Sequence, residues 1–386
     1  MKIKYVVMDS HGPSSGVMKK IFAQVLELKQ LGQDVELVLI RIGKINYPSY
    51  DFLTIYDVDE VPSGDYFGRF RRACKISNIY GELIDSLGPR DILYTRFTSA
   101  FPPNSPKYYF KLRRRACKIV TEHQTKELDE FKLNGRSLTY WSELFFGTLL
   151  RKQSDAIVGV TGEIAQYEVA KARDLKKPNL VIGNGFAVQS VPMRQAPCNN
   201  KNVLDILCVA NVSRWHGLDR LLRGIAAYDG TSNVILHIAG DGPELGNLKK
   251  LANELDIADR VVFHGFMMGK ALDALFDKCH IAVGSLGIHR KGLMQTSELK
   301  AREYCARGIP YVIACADPDF PDDFPYIFRL SASESPIDID QVLTFAQAVC
   351  IDPDHPQQMR RYAEEHLDWS VKMKKLKEFL GARVRN

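Results

Sequence analysis

Short β-branched and apolar runs alternate along the whole chain with stretches whose apolar residues recur every three or four positions. The runs read as strands buried on both faces, and the periodic stretches read as amphipathic helices. In the first half the expected strands are residues 3–8, 35–40, 91–96, 118–122, 156–160 and 180–182. The helix expected at 16–31 puts Val17, Ile21, Val25 and Leu28 on one face, with Gly32 as its C-cap, and another is expected at 137–152. Between 183 and 202 the pattern lapses into turn chemistry: Asn184-Gly185, Pro192, Pro197 and Asn199-Asn200. A second series follows, with strands at 204–209, 234–239, 261–263, 281–284 and 311–315. Its helices fall at 217–228, 243–255, 270–278 and 297–307, and Trp369 opens a last amphipathic segment to residue 380. Alternation of this kind predicts parallel sheets covered by helices, repeated in two halves.

Length agrees with two domains, since 386 residues exceed a typical single core. With 45% hydrophobic and 25% charged residues the composition is that of a globular protein, which excludes extended disorder. Lys2 and Lys4 precede only a four-residue apolar run that Asp9 interrupts, so no secretory signal is expected. No uncharged apolar stretch approaches the roughly 18 residues of a spanning helix. The eight cysteines form no CxxC pair, and several lie in apolar runs such as Ile206-Leu207-Cys208-Val209. They read as reduced core residues of a cytoplasmic protein.

Charge divides unevenly. Residues 1–190 hold 28 Lys and Arg against 21 Asp and Glu, a balance of +7, while residues 191–386 hold 24 against 25. The excess concentrates in Arg69-Phe70-Arg71-Arg72 and in the stretch from Lys107 to Arg115, which ends in Arg113, Arg114 and Arg115. Cations interleaved with aromatics suit an anionic membrane surface or a lipid diphosphate; a solvated helix face is the plainer alternative. No nucleic-acid reader motif accompanies the charge.

The most informative stretch runs from Ser285 to Val312. A strand ends at Gly284, a glycine-containing loop follows, and Ser297 is placed to cap a helix that begins near Glu298. In an open α/β sheet ligands bind beyond the carboxyl ends of the strands, and a helix N-terminus there offers N–H groups to a phosphate. Glu303 lies far enough along that helix to reach a diol, or else it pairs with Arg307 four residues on.

This stretch resembles the donor-binding signature of the retaining family 4 glycosyltransferases of GT-B fold. Glu303-Tyr-Cys-Ala-Arg-Gly-Ile-Pro310 fits the second glutamate of that signature and its Gly-x-Pro ending. The resemblance implies that Glu303 holds the ribose hydroxyls of a nucleotide. The first glutamate of the signature is replaced by Gln295, which can hydrogen-bond a sugar but cannot offset positive charge. Further segments resemble the family in order: Asp9-Ser-His11-Gly12-Pro-Ser-Ser-Gly16 its N-terminal glycine loop, and Glu122-His123 its strand-end histidine. Val181-Ile-Gly-Asn184-Gly185 is similar to the segment ahead of its linker. Ile238-Ala-Gly240-Asp241-Gly242-Pro243 and Val261-Val-Phe-His-Gly265 are similar to its later turns. One departure stands out. Asn211 and His216 occupy the positions where the family places an arginine and a lysine, so Arg214, Lys300, Arg290 and Lys291 become the candidates to neutralise a diphosphate, Arg214 and Lys300 foremost. His216 would help only when protonated.

The resemblance therefore implies a GT-B architecture of two facing Rossmann-like domains. Residues 1–190 would form the acceptor domain, 200–365 the nucleotide-sugar donor domain, and 366–386 a terminal helix able to cross back. The implied activity is retaining transfer from a nucleoside diphosphate sugar to a saccharide or lipid-linked acceptor, with no cofactor and no metal, in cell-surface polysaccharide or glycolipid synthesis. Catalysis would fall to His123, Arg214 and Lys300. Donor binding would fall to Gly16, His216, Gln295, Ser297, Leu299 and Glu303, and the acceptor or membrane side to Arg113, Arg114 and Arg115. The expected location is cytoplasmic, with peripheral contact at an anionic membrane. The alternatives are a non-catalytic sugar-nucleotide-binding partner and a nucleotide-sugar epimerase of the same fold.

Overall fold

The protein is described by a computed structural model covering residues 1–9, 12–13, 15–58, 66–97, 111–133, 135, 137–197 and 202–385. His11, Lys107 and Cys198 lie outside the described residues, as does the side chain of Arg69. The chain divides into two compact units, Met1–Gly183 with Trp369–Asn386, and Asn184–Asp368.

The first unit is built on seven parallel strands. They are β1 (Lys2–Asp9), β2 (Asp34–Arg41), β3 (Leu53–Asp57), β4 (Ile92–Arg96), β5 (Lys118–His123), β6 (Ala156–Gly159) and β7 (Asn179–Val181), in the order β3-β2-β1-β4-β5-β6-β7. The central register pairs Val6 with Val38 and Tyr5 with Tyr94. These strands are apolar on both faces because helices cover both. The helices are α1 (Gly16–Gln30), α2 (Tyr66–Asp85), α3 (Glu127–Leu133), α4 (Ser137–Gln153) and α5 (Gly162–Lys171). Val6, Val38, Ile40, Leu93 and Ile119 pack with Ile79 and Leu83 of α2 in one such layer. Ser15 caps α1, its hydroxyl accepting from Met18 N–H at 3.2 Å.

The second unit has six parallel strands: β8 (Val203–Val209), β9 (Asn233–Ala239), β10 (Val261–Gly265), β11 (Ile281–Val283), β12 (Tyr311–Ile313) and β13 (Ile327–Arg329). Their order is β10-β9-β8-β11-β12-β13. Successive strands are added outward from β8 on one side and from β11 on the other, so the strand order, though not the strand direction, reverses between those two. That is the position where an open sheet leaves a crevice at its carboxyl edge. The helices are α6 (Leu218–Ala227), α7 (Leu245–Glu254), α8 (Lys270–Lys278), α9 (Leu299–Arg307), α10 (Ile339–Cys350) and α11 (His355–Tyr362).

Residues 184–197, turn-like in sequence, belong to the second unit. Arg194 is buried there, its guanidinium donating to the carbonyls of Gly308 at 2.9 Å and Cys279 at 2.5 Å. The last helix, α12 (Trp369–Arg385), packs in the first unit, where Lys377 donates to the carbonyl of Leu31 at 2.8 Å. Two edge strands, β3 and β13, and the helices α2, α3, α5, α10 and α11 are absent from the sequence expectation. An edge strand is short and half-buried, and the arginines at the start of α2 interrupt its apolar period.

Candidate functional site

At the carboxyl edge of the second sheet, two loops are locked together around a glycine. The loop after β8 turns through a short 3-10 segment, Arg214–His216, and the loop after β11 through another, Ile288–Lys291. Leu286 N–H donates to the His216 carbonyl at 2.9 Å, Gly287 N–H to that of Trp215 at 3.2 Å, and Arg290 Nη1 to that of Arg214 at 2.7 Å. Gly217 sits between them with φ +64°, and a Cβ there would lie 2.7 Å from the backbone of Leu286 and Gly287. Only glycine permits so close an approach.

Helix α9 opens onto the same edge. The sequence places Ser297 as its cap, but the capping position is Glu298, whose side chain makes no capping bond. The Ser297 hydroxyl is taken instead by Asn184 N–H at 2.6 Å, a tertiary contact that no local spacing encodes. Leu299 is the first helical residue, so the first-turn N–H groups have no side-chain acceptor. Glu298 reaches back, its Oε2 accepting from Ser285 N–H at 3.1 Å. Lys300 lies on the same turn with its Nζ buried and without a hydrogen-bond partner; the nearest carboxylate oxygen, Glu298 Oε2, is 3.6 Å away.

The other cations expected here are differently placed. Arg290 is held by Asp219, both bonds at 2.8 Å, and by Glu334, so its charge is already matched. Lys291 lies 4.7 Å over the ring of Trp215. Arg214 is exposed at the start of its turn. His216 departs from expectation. Its Nδ1 accepts from Ser213 N–H at 3.0 Å, which places the ring proton on Nε2. Burial, reinforced by the charges of Lys300 and Lys291, holds its pKa well below the ordinary histidine value. The imidazole is therefore neutral and does not replace a lysine.

Glu303 follows the plainer of its two sequence readings in part: its Oε1 accepts from Arg307 Nε at 2.9 Å, and Arg307 also binds Asp273 at 2.7 Å. Gln295 forms a parallel bridge to Ala316, beside β12. The segment is pinned from beneath by Arg302, fully buried, which binds Asp317 and Asp319 and donates to the Asn184 carbonyl at 2.9 Å. The strand ends β8, β11 and β12 and the first turn of α9 thus bring together Lys300, Glu298 and His216. The sequence reading missed Glu298 as a site residue. Its available signal was an acid two positions before a lysine at the start of a helix on the carboxyl edge.

In the first unit, His123 ends β5 as expected, but its ring is fully buried. Its Nδ1 lies 3.1 Å from Glu168 Oε2 and 3.3 Å from Glu127 Oε1, and its Nε2 is 3.0 Å from the Thr121 hydroxyl. Burial lowers its pKa to about 4, so the ring is neutral, donating from Nδ1 and accepting at Nε2. His123, Glu127 and Glu168 have the mutual spacing of a metal site, but Arg151 supplies the cation there. The guanidinium binds Glu127 at 3.1 Å and also Glu143 and Glu168, all buried. His123 is thus a member of a closed polar core. Burial raises the pKa of all three carboxyls, that of Glu168 to about 7.

At the first glycine loop, Gly12 N–H donates to Asp9 at 2.9 Å, and Gly16 is exposed as the first residue of α1. A cleft of about 630 Å³ is lined by Ile84, Asp85, Leu87, Lys111, Arg114, Arg115 and Ala116. Arg113 and Arg114 are exposed, whereas Arg115 is half-buried against Asp155 at 2.7 Å. Arg115 is therefore committed to the fold rather than presented to a partner. No helix among the described residues is long and apolar enough to cross a membrane.

The whole chain superposes on solved glycosyltransferases. The apo lipopolysaccharide outer core galactosyltransferase WaaB matches with a TM-score of 0.67 at 14% identity, covering 99% of this chain and 100% of that one. The chain has the GT-B fold. Sucrose-phosphate synthase from Thermosynechococcus elongatus shares this GT-B likeness with a TM-score of 0.70 at 13% identity, over 98% of this chain and 97% of the other. So does the Anabaena protein HepE in complex with UDP-glucose, with a TM-score of 0.64 at 14% identity, over 99% and 100%. In sequence, residues 192–292 match the family described as glycosyl transferases group 1. That span covers the first half of the GT-B chain's second unit, including the loop after β8. No curated protein matches the chain significantly.

Proposed function

We propose that this protein is a glycosyltransferase that moves a sugar from a nucleoside diphosphate sugar to a saccharide or lipid-linked acceptor, with retention at the anomeric carbon. The second unit holds the donor and the first takes the acceptor. The observation that carries the reading is Lys300: a buried ammonium without a hydrogen-bond partner, beside uncapped helix N–H groups, at the carboxyl edge where the strand order reverses. A buried charge with unmet donors is costly unless an anion satisfies it. A diphosphate supplies that anion, with the amides of Leu299 and Lys300 as further donors. Arg214, exposed on the neighbouring turn, adds a second cation. Glu303 accepts from the ribose hydroxyls through the carboxylate edge that Arg307 leaves open, and Gln295 faces the sugar. HepE, of the same fold, was solved with UDP-glucose, and WaaB is named a galactosyltransferase; both agree with a sugar nucleotide here.

Transfer requires stabilisation of the leaving diphosphate. Lys300, Arg214 and the helix N-terminus provide it without a divalent ion, and the leaving phosphate itself takes the acceptor's proton on the attacked face. His123, closed into its polar core, acts by holding the end of β5. The enzyme works in the cytoplasm, with Arg113 and Arg114 contacting an anionic membrane, in cell-surface polysaccharide or glycolipid synthesis. The neutrality of His216 favours one second reading, a partner protein that binds sugar nucleotide without turning it over.

A panel of UDP-, GDP- and ADP-sugars, offered to the purified protein in EDTA with and without saccharide acceptors, tests the proposal. Transfer or slow donor hydrolysis is the expected result. Donor binding without either supports the partner reading, and turnover that needs added magnesium or manganese refutes the charge assignment.

A further inference from the structure

Glu298 is the residue whose environment the donor site does not account for. It stands at the N-terminus of α9, where a bound phosphate would be drawn, and its side chain is itself only 10% exposed. A carboxylate at this end of a helix meets the same partial positive charge that attracts a phosphate. One oxygen, Oε2, accepts from Ser285 N–H at 3.1 Å; the other, Oε1, is buried without a hydrogen-bond partner.

Its relation to Lys300 is equally unusual. The two charges are 3.6 Å apart, close enough to attract and too far to hydrogen-bond. Three other pairs with a buried cation close fully: Lys20 with Glu122 at 2.7 Å, Arg307 with Asp273 at 2.7 Å and Arg290 with Asp219 at 2.8 Å. Where a buried lysine stands off its carboxylate, as Lys4 does from Glu36 at 3.9 Å and Lys177 from Asp174 at 3.8 Å, its ammonium donates elsewhere, to the Ser86 hydroxyl at 2.8 Å and the Ser154 carbonyl at 2.6 Å. A pair serving only stability would close likewise, because an unmade charge-assisted bond in a buried place is expensive. Lys300 and Glu298 instead stay partly satisfied, each with capacity to spare. The ammonium lies near the ends of two strands, its charge acting on Cys208 in β8, on His216 after β8 and on Cys315 after β12.

We propose that Glu298 is a resident anion of the donor site: its carboxylate neutralises Lys300 and the helix N-terminus until a diphosphate displaces it, and its negative charge then speeds release of the diphosphate product. This rests on the reading of the second unit as a donor site. A diphosphate satisfies the ammonium and the first-turn amides together, which one carboxylate held back by Ser285 does not. Once displaced, Glu298 is a like charge within a few ångströms of the phosphates and weakens their hold. Product release, commonly the slow step in enzymes that bind their products well, becomes faster.

The alternative role, a positioning residue that holds Lys300 for the donor, predicts the opposite sign. Calorimetric titration of the full-length chain with UDP, GDP and ADP, and with the corresponding nucleosides, separates the two. Glu298→Gln keeps an acceptor for Ser285 N–H and removes the charge. It should bind the diphosphate that the wild type prefers about tenfold more tightly, with nucleoside binding unchanged. Glu298→Ala should change affinity in the same direction, and serves as the test if the glutamine variant does not melt cooperatively. If either folded variant binds that diphosphate equally or more weakly while the wild type binds it well, the resident-anion role is overturned and the donor site stands. If the wild type binds none of the three diphosphates, the donor-site reading falls and this inference with it.

Discussion

Lys300→Met, made alone and together with Glu298→Gln, separates function from stability at this site. The methionine keeps most of the length and the apolar stem of lysine and removes the ammonium. In the proposed complex that ammonium makes at least one charge-assisted bond to a phosphate oxygen, about 1.5–3 kcal/mol each. Nucleoside diphosphate affinity should therefore fall roughly 10- to 100-fold, and nucleoside affinity should not change. Stability should respond differently. Nζ makes no hydrogen bond and stands 3.6 Å from Glu298, so the single substitution loses no bond but leaves a buried carboxylate without its counter-charge and should cost some stability. Removing both charges in Lys300→Met/Glu298→Gln should leave the protein as stable as the wild type or more stable by about 1–4 kcal/mol, as when a poorly closed buried ion pair gives way to neutral side chains. Titration calorimetry reads the affinity, and urea unfolding monitored by circular dichroism reads the stability. If Lys300→Met binds the diphosphate like the wild type, Lys300 is not a donor contact. If the double variant loses more than about 2 kcal/mol, the pair is structural after all.

Three further outcomes follow from the same geometry. Glu303→Gln should weaken free nucleoside diphosphate and intact donor alike, by roughly 10-fold or more, since its contact lies on the ribose; a titration that shows loss for the intact donor alone would move it to the sugar. Arg151→Met leaves Glu127, Glu143 and Glu168 buried without their cation and should cost about 3–5 kcal/mol at pH 7. These carboxyls have folded pKa values above their unfolded ones, so the folded state binds more protons. The deficit should shrink toward pH 5 and grow as pH rises through 7; a pH-independent loss in chemical denaturation would contradict this. Arg113→Glu with Arg114→Glu should weaken sedimentation with anionic liposomes, and raised salt should do the same to the wild type; equal binding to neutral vesicles would leave both as ordinary solvated cations.

The sequence alone determined the alternation of strands and helices, because burial on both faces writes an uninterrupted apolar run for each central strand and a 3.6-residue period for covering helices such as α1, α6 and α9. Every central strand of both sheets was legible in this way, as were the carboxyl-edge stretch 285–312 and the lysine at 300. Edge strands β3 and β13 were not, since a strand with one neighbour needs few apolar residues. What the tertiary structure decided was the state of the polar side chains. Periodicity places a residue on a face, but it does not say which distant group will meet it there. Asn184 takes the Ser297 hydroxyl from 113 positions away, so Glu298 and not Ser297 stands at the cap. His216 is neutral because Ser213 N–H occupies one nitrogen and burial disfavours a second proton. His123 is closed off by carboxylates from α3 and α5 and by Arg151 of α4. Charge, exposure and hydrogen-bond capacity depend on groups brought together across the fold, and local spacing along the chain carries no record of them.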